Sequence, residues 1–242
     1  MSSISQGQLL VLAYLKLVAD GDLPSVGIPE MARFALRRKQ AVRFFCQEST
    51  DRVAGALSGF VPHVGRKPVL TRHVGGSWSC IGSSAEFSSD KTEDGNIIVL
   101  GWDSGLVEEI LDAESENTTE AGALFGYPPC CVRAVHALAQ AGAAWPAELM
   151  RRSPKIGRTA KANRLAADWG GLSPVGELFP CSLACPMAAA IGFDGHESLQ
   201  CLGLNSLAAC LVKHAESTFR INTEGRARPS QPGVPGATQL VW

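Results

Sequence analysis

NIIVLGWDSGLVEEIL, residues 96–111, changes its periodicity halfway along. Ile97, Ile98, Val99 and Leu100 form an unbroken apolar run of strand length, which suits a strand buried on both faces. Gly101-Trp102-Asp103 then punctuates the run. From Ser104, a plausible helix cap, the apolar residues Leu106, Val107, Ile110 and Leu111 recur at the spacing of one helical face. A strand followed by an amphipathic helix therefore stands at the centre of the chain. Upstream, residues 60–100 are rich in Gly and Ser with short apolar runs, the texture of further strands. The expected class is α+β (mixed α and β): helix-rich, with a small central sheet around residues 60–103.

Working outward, residues 7–19 carry Leu9, Leu10, Leu12, Ala13, Leu17 and Val18 in a helical pattern that stops at Asp20-Gly21. Pro29 suits a first helical turn and predicts a second helix through MARFALRRKQAVRFFCQES, residues 31–49. Residues 181–192, CSLACPMAAAIG, predict a short helix, and SLAACLVKHAESTF, residues 206–219, another. His196-Glu197 resembles a helix start. The expected organisation is an N-terminal helical segment over 1–58, a cysteine-containing α/β core over 59–224, and a flexible Pro/Gly-rich tail over 225–242.

The 242 residues include 22 basic and 23 acidic ones, so the chain as a whole does not attract nucleic acid or an anionic membrane. Two local basic stretches remain. Arg33, Arg37, Arg38, Lys39 and Arg43 form one, read mainly as a solvated face; the linker 151–164 forms the other. His63 and His73, with Arg66, Lys67 and Arg72 between them, read as a solvated loop. The apolar run near the amino terminus has no preceding basic residue and is interrupted by Lys16, which argues against a signal peptide. With no long apolar span, the expectation is a soluble cytoplasmic protein. No Walker motif, G-x-G-x-x-G after a strand, H-E-x-x-H or G-x-S-x-G is present, which speaks against nucleotide binding and standard hydrolases.

The cysteines carry more information. Cys130 and Cys131 follow Gly-Tyr-Pro-Pro, and Cys181 and Cys185 follow Phe179-Pro180. Neighbouring cysteines pair poorly as a disulfide, because consecutive Cα atoms lie about 3.8 Å apart and a disulfide wants roughly 4.4–6.8 Å. Each pair instead looks placed at a helix start, where free N–H groups favour thiolates. The four predict a metal site, with Cys181 and Cys185 on one helical face. A zinc ion holds four thiolates roughly 3.8 Å apart and usually takes C-x2-C pairs, a spacing neither pair has. A cluster is a larger body with more varied ligand spacing, so an iron–sulfur cluster, [4Fe–4S] first, is expected, with zinc as the alternative. Cys46, Cys201 and Cys210 sit in apolar helical patterns and read as core residues; Cys80 is undecided, and His136 reads as an ordinary histidine.

The segment EAGALFGYPPCCVRAV with the later PCSLAC resembles a family of uncharacterised proteins marked by G-Y-P-x-C-C and P-C-x-x-x-C, over roughly residues 96–192. That resemblance implies a metal- or cluster-binding cysteine site and no particular substrate. The chain has Phe179 where the family carries a polar residue or His. With the cluster reading, the expected role is redox or sulfur transfer on a small-molecule or carrier-bound substrate. Cys131, Tyr127 and Glu120 are then the candidates for chemistry beside the metal. With the zinc reading, the chain is a binding module that meets an anionic partner, nucleic acid being one, through its basic segments.

Overall fold

A computed structural model describes residues 5–46, 50–74, 77–80, 92–115, 119–141, 145–153, 164, 172–216, 219–221 and 227–229. The chain divides into two compact units. The first comprises residues 1–24 and 34–126, the second 25–33 and 127–242, so the division does not follow the 58/59 boundary read from the sequence.

In the first unit, helix α1 (Gln6–Ala19) starts where the Ser5 side chain accepts the Gln8 N–H, and ends before Gly21 at φ +83°. Four antiparallel strands follow: β1 (Ala41–Cys46), β2 (His63–Val74), β3 (Ser77–Cys80) and β4 (Thr92–Gly101), in the order β1-β4-β2-β3. Helix α3 (Thr50–Ser58) lies between β1 and β2 in sequence. The predicted strand 96–101 is thus the interior strand β4, paired with β1 from Asn96↔Cys46 to Gly101↔Ala41 and with β2 from Thr92↔Arg72 to Gly101↔His63. Ile97 through Leu100 are fully buried, which explains their unbroken apolar run.

Each face of this sheet has its own cover. On one, the Tyr14 ring of α1 meets Phe44 of β1 at 5.0 Å between centroids. On the other lies helix α4 (Ser104–Ser115), whose Val107 comes so close that a Cβ on Gly65 or Gly101 would overlap it. The predicted strand-to-helix unit is therefore present. Its cap is Asp103, not Ser104: Asp103 Oδ1 accepts the Leu106 N–H at 2.8 Å. A short helix α5 (Thr119–Leu124) closes the unit.

The sheet corrects several expectations. Helix α2 (Ile28–Ala35) stops well short of residue 49, and Arg37 adopts φ 58° just beyond it. Residues 41–46 form β1 instead, because Val42, Phe44 and Cys46 alternate into the core with period two. The N-terminal segment is therefore not purely helical. GRKPVLTR lies within β2, not in a loop, with Arg66 paired to Asp51 and Lys67 to Asp112. Among the described residues β3 pairs with β2 over Thr71–Val74, beyond Pro68, whose missing N–H is tolerated where a strand has only one ladder.

The second unit contains α6 (Pro129–Ala141), α7 (Trp145–Arg152), α8 (Pro186–Cys201), α9 (Asn205–Ala215) and the small ladder β5 (Phe219–Ile221) with β6 (Ala227–Pro229). Strand β6 falls inside the expected loose tail and corrects it; residues 230–242 lie outside the described residues. His196-Glu197 does not start a helix, since α8 runs through it. Gly195 is tolerated mid-helix because Pro29 packs against it, 3.0 Å from where a Cβ would stand.

Candidate metal centre

Two prolines set up each half of the centre. Gly126 (φ +72°) ends α5, and Pro128 then offers its carbonyl to the N–H groups of Cys131 (2.9 Å) and Val132 (3.1 Å). Pro129 opens α6 at the position where a missing N–H costs nothing, so Cys130 and Cys131 fall in the first helical turn. In the other half, Cys185 caps α8 and Pro186 occupies its first position. Residues 181–185 form a turn, closed by Cys185 N–H donating to Ser182 O at 3.1 Å. The expected helix over 181–192 is thus corrected: Pro186 cannot donate to a preceding carbonyl, so the helix begins with it. Cys181 and Cys185 approach through the turn, not along one helical face.

The four predicted cysteines meet. Their sulfurs all lie within 4.8 Å of one another, and among the described residues they are the one group of three or more His, Cys, Asp or Glu side chains close enough to hold a metal ion. Cys130 Sγ stands 3.9 Å from Cys131 Sγ and 3.8 Å from Cys185 Sγ, and Cys131 and Cys185 are 3.8 Å apart. Cys131 and Cys185 are buried with Val175, Leu178 and Ala188; Cys130, Cys181, Tyr127 and Ile191 pack around them, partly exposed.

Burial and the neighbouring sulfurs push the Cys131 thiol far above its ordinary range, although the Cys181 N–H opposes this. Burial, helped by Cys185 and Cys130, raises Cys181 to about 11. Burial acts the same way on Cys185, but there the Ala188 N–H in the first turn of α8 and the surrounding thiols outweigh it and lower the value. Buried, crowded thiols are what a bound cation would stabilise as thiolates, since metal ligation replaces the thiol proton. The donor set, sulfur only, suits zinc or iron and not magnesium or calcium.

Tyr127 packs against the cluster, and its hydroxyl donates to Glu30 Oε1 at 2.9 Å. Glu120 is exposed on α5 in the first unit. His136 is exposed and is not one of the gathered ligands. Cys46 is buried on β1, so it is a core residue on a strand and not on a helix. Cys201 is exposed at the end of α8, against expectation, and Cys210 is half-buried 3.9 Å from the His214 ring nitrogens. The side chain of Cys80 lies outside the described residues.

The basic stretches are largely engaged within their own units. Arg43 pairs with the buried Glu114, Lys39 is buried with Nζ donating to Phe125 O at 2.9 Å, and Arg33 pairs with Asp194. Arg151 and Arg152 both hold Glu148. Arg164 is buried over the Phe179 ring, 3.8 Å from its centroid, so Phe179 carries a packed guanidinium. Residues 154–163 lie outside the described residues.

Sequence reasoning missed Glu30. It is buried at 2 % exposure and forms part of the second unit, yet 97 positions separate it from Tyr127, and no local pattern links the two. Among the described residues, no helix is long and apolar enough to cross a membrane. No family model matches this chain, and neither a curated protein nor a solved structure matches it.

Proposed function

We propose that Cys130, Cys131, Cys181 and Cys185 hold a single tetrahedral ion, zinc, and that this centre is structural: it ties the start of α6 to the 181–185 turn. The observation that carries this reading is the sulfur spacing. Four sulfurs at about 2.3 Å from one zinc form a tetrahedron with edges of about 3.8 Å, and three of the sulfur pairs stand at 3.8, 3.8 and 3.9 Å. Ligands of an iron–sulfur cluster surround a larger body and stand further apart. The spacing thus favours zinc, the alternative in the sequence reading, over the cluster and the redox or sulfur-transfer chemistry attached to it.

Four protein thiolates fill a tetrahedron, which is the pattern of structural zinc; catalytic zinc keeps one position for water or substrate. The lining from Val175, Leu178, Ala188 and Ile191 is apolar, and the Tyr127 hydroxyl is engaged by Glu30, which supports the same role. The resemblance to the G-Y-P-x-C-C family points to the same four cysteines.

Metal analysis of the full chain, purified without oxygen, tests the reading. One zinc per chain and a colourless protein are expected. Cys131→Ala or Cys181→Ala abolishes stoichiometric binding, whereas Cys201→Ala retains it. A brown protein containing iron and sulfide would overturn the zinc assignment and restore the cluster.

A further inference from the structure

Glu30 joins two walls of the thiol site. Its Oε1 accepts the Tyr127 hydroxyl at 2.9 Å and the Glu177 N–H at 3.2 Å. Tyr127 directly precedes Pro128-Pro129-Cys130-Cys131 and packs against the buried cluster that contains Cys131 and Cys185. Glu177 lies in the turn that carries Val175 and Leu178, both buried in the same cluster.

That turn is shaped to admit the carboxylate. Gly176 has φ +63°, and a Cβ there would overlap the Glu30 side chain. On either side of Glu30 the peptide is seated again: Pro29 rests on Gly195, and Arg33 pairs with Asp194, both residues of α8, the helix that Cys185 caps. Residues 25–33 therefore hold the helix behind one cysteine, the tyrosine before two others and the turn that covers them. In sequence they fall between two stretches of the first unit.

We propose that residues 25–33 are a clasp whose closure is coupled to metal loading, with Glu30 as a positioning residue for the thiolate centre; this rests on the four-thiolate reading above. Groups that hydrogen-bond or orient the surroundings of metal ligands change metal affinity without touching the ion. Coupling of this kind is reciprocal: a clasp that favours the loaded site is itself held more firmly when the site is loaded. Tyr127 and the 175–178 turn carry the coupling, because each touches both Glu30 and the thiol cluster. Removing the carboxylate leaves the part-buried hydroxyl and the buried N–H without that acceptor. Glutamine, which keeps a carbonyl oxygen in place, preserves both bonds.

Two measurements on the full chain test the clasp. In the first, zinc is titrated away with a competing chelator from wild type, Glu30→Gln, Glu30→Ala and the exposed control Glu120→Ala. Glu30→Ala is expected to lose about 10- to 100-fold in zinc affinity, with the other two within a few-fold of wild type. In the second, wild type is digested with trypsin before and after zinc removal, and cleavage after Arg33 is followed by mass spectrometry. The zinc-free chain is expected to be cut there first, and the loaded chain to resist.

Wild-type affinity in Glu30→Ala, or equal cleavage after Arg33 with and without zinc, overturns the clasp while leaving the zinc centre standing. Should Glu30→Ala fail to fold, the tryptic comparison on wild type decides alone. A wild-type chain without any metal defeats the four-thiolate reading itself, and the clasp with it.

Discussion

The two units solve the problem of a core in different ways. In the first, β4 buries four consecutive apolar residues between α1 and α4, and the buried charge of Glu114 is met by Arg43. In the second, two buried cysteines and two partly exposed ones gather in an apolar cluster, and Glu30 is buried nearby with its own donors. Apolar burial stabilises by excluding water and needs no ligand. A cluster of buried thiols gains its stability from whatever cation it holds. The first unit should therefore be indifferent to metal, and the second should depend on it.

Removing the metal probes that difference with the largest effect. Structural zinc contributes on the order of 10 kcal/mol in small zinc domains, so chelation should strip hydrogen-exchange protection from α6 and α8 while the β1–β4 ladder keeps it. Loss of protection in both units together would break the contrast. The converse experiment is Ile98→Ala. A large-to-small change at this fully buried position costs about 2–5 kcal/mol, read as a lower urea midpoint for the first unit with zinc content unchanged. Zinc loss in Ile98→Ala would contradict the account.

Smaller changes sharpen the comparison. Gly176→Ala places a methyl group onto Glu30 at a left-handed backbone position and should destabilise the second unit by roughly 1–3 kcal/mol, seen as faster zinc release to a chelator. In the first unit, Asp103→Ala removes the cap of α4 at a cost of about 1 kcal/mol, detected as a modest shift in thermal midpoint without any effect on zinc.

Sequence periodicity reached the elements whose packing is local. Strand β4 and helix α4 were readable because each buries one continuous pattern; helix α1 was readable too, although Leu9 and Leu12 of its apolar set are exposed, and the α+β class followed from them. Strand β1 was misread because the helix opened by Pro29 was carried on to residue 49, past the alternation of Val42, Phe44 and Cys46. The four cysteines were recognisable as one site from residue type and their prolines, but not how they meet. The i, i+4 spacing of Cys181 and Cys185 suggested a helical face, whereas Pro186 leaves both ahead of the helix. Spacing along the chain argued for a cluster over zinc; the proposal of zinc rests instead on the sulfur positions in space. Glu30 left no trace in the sequence, because its partners are made by tertiary folding across 97 and 147 positions.

The central claim is that one ion sits among four thiolates. X-ray absorption at the zinc and iron edges of the purified full chain measures it directly. The account predicts a single shell of four sulfur neighbours at about 2.3 Å and no metal neighbour beyond it. Oxygen or nitrogen in that shell, or a sample with iron–iron scattering and no zinc, would contradict it.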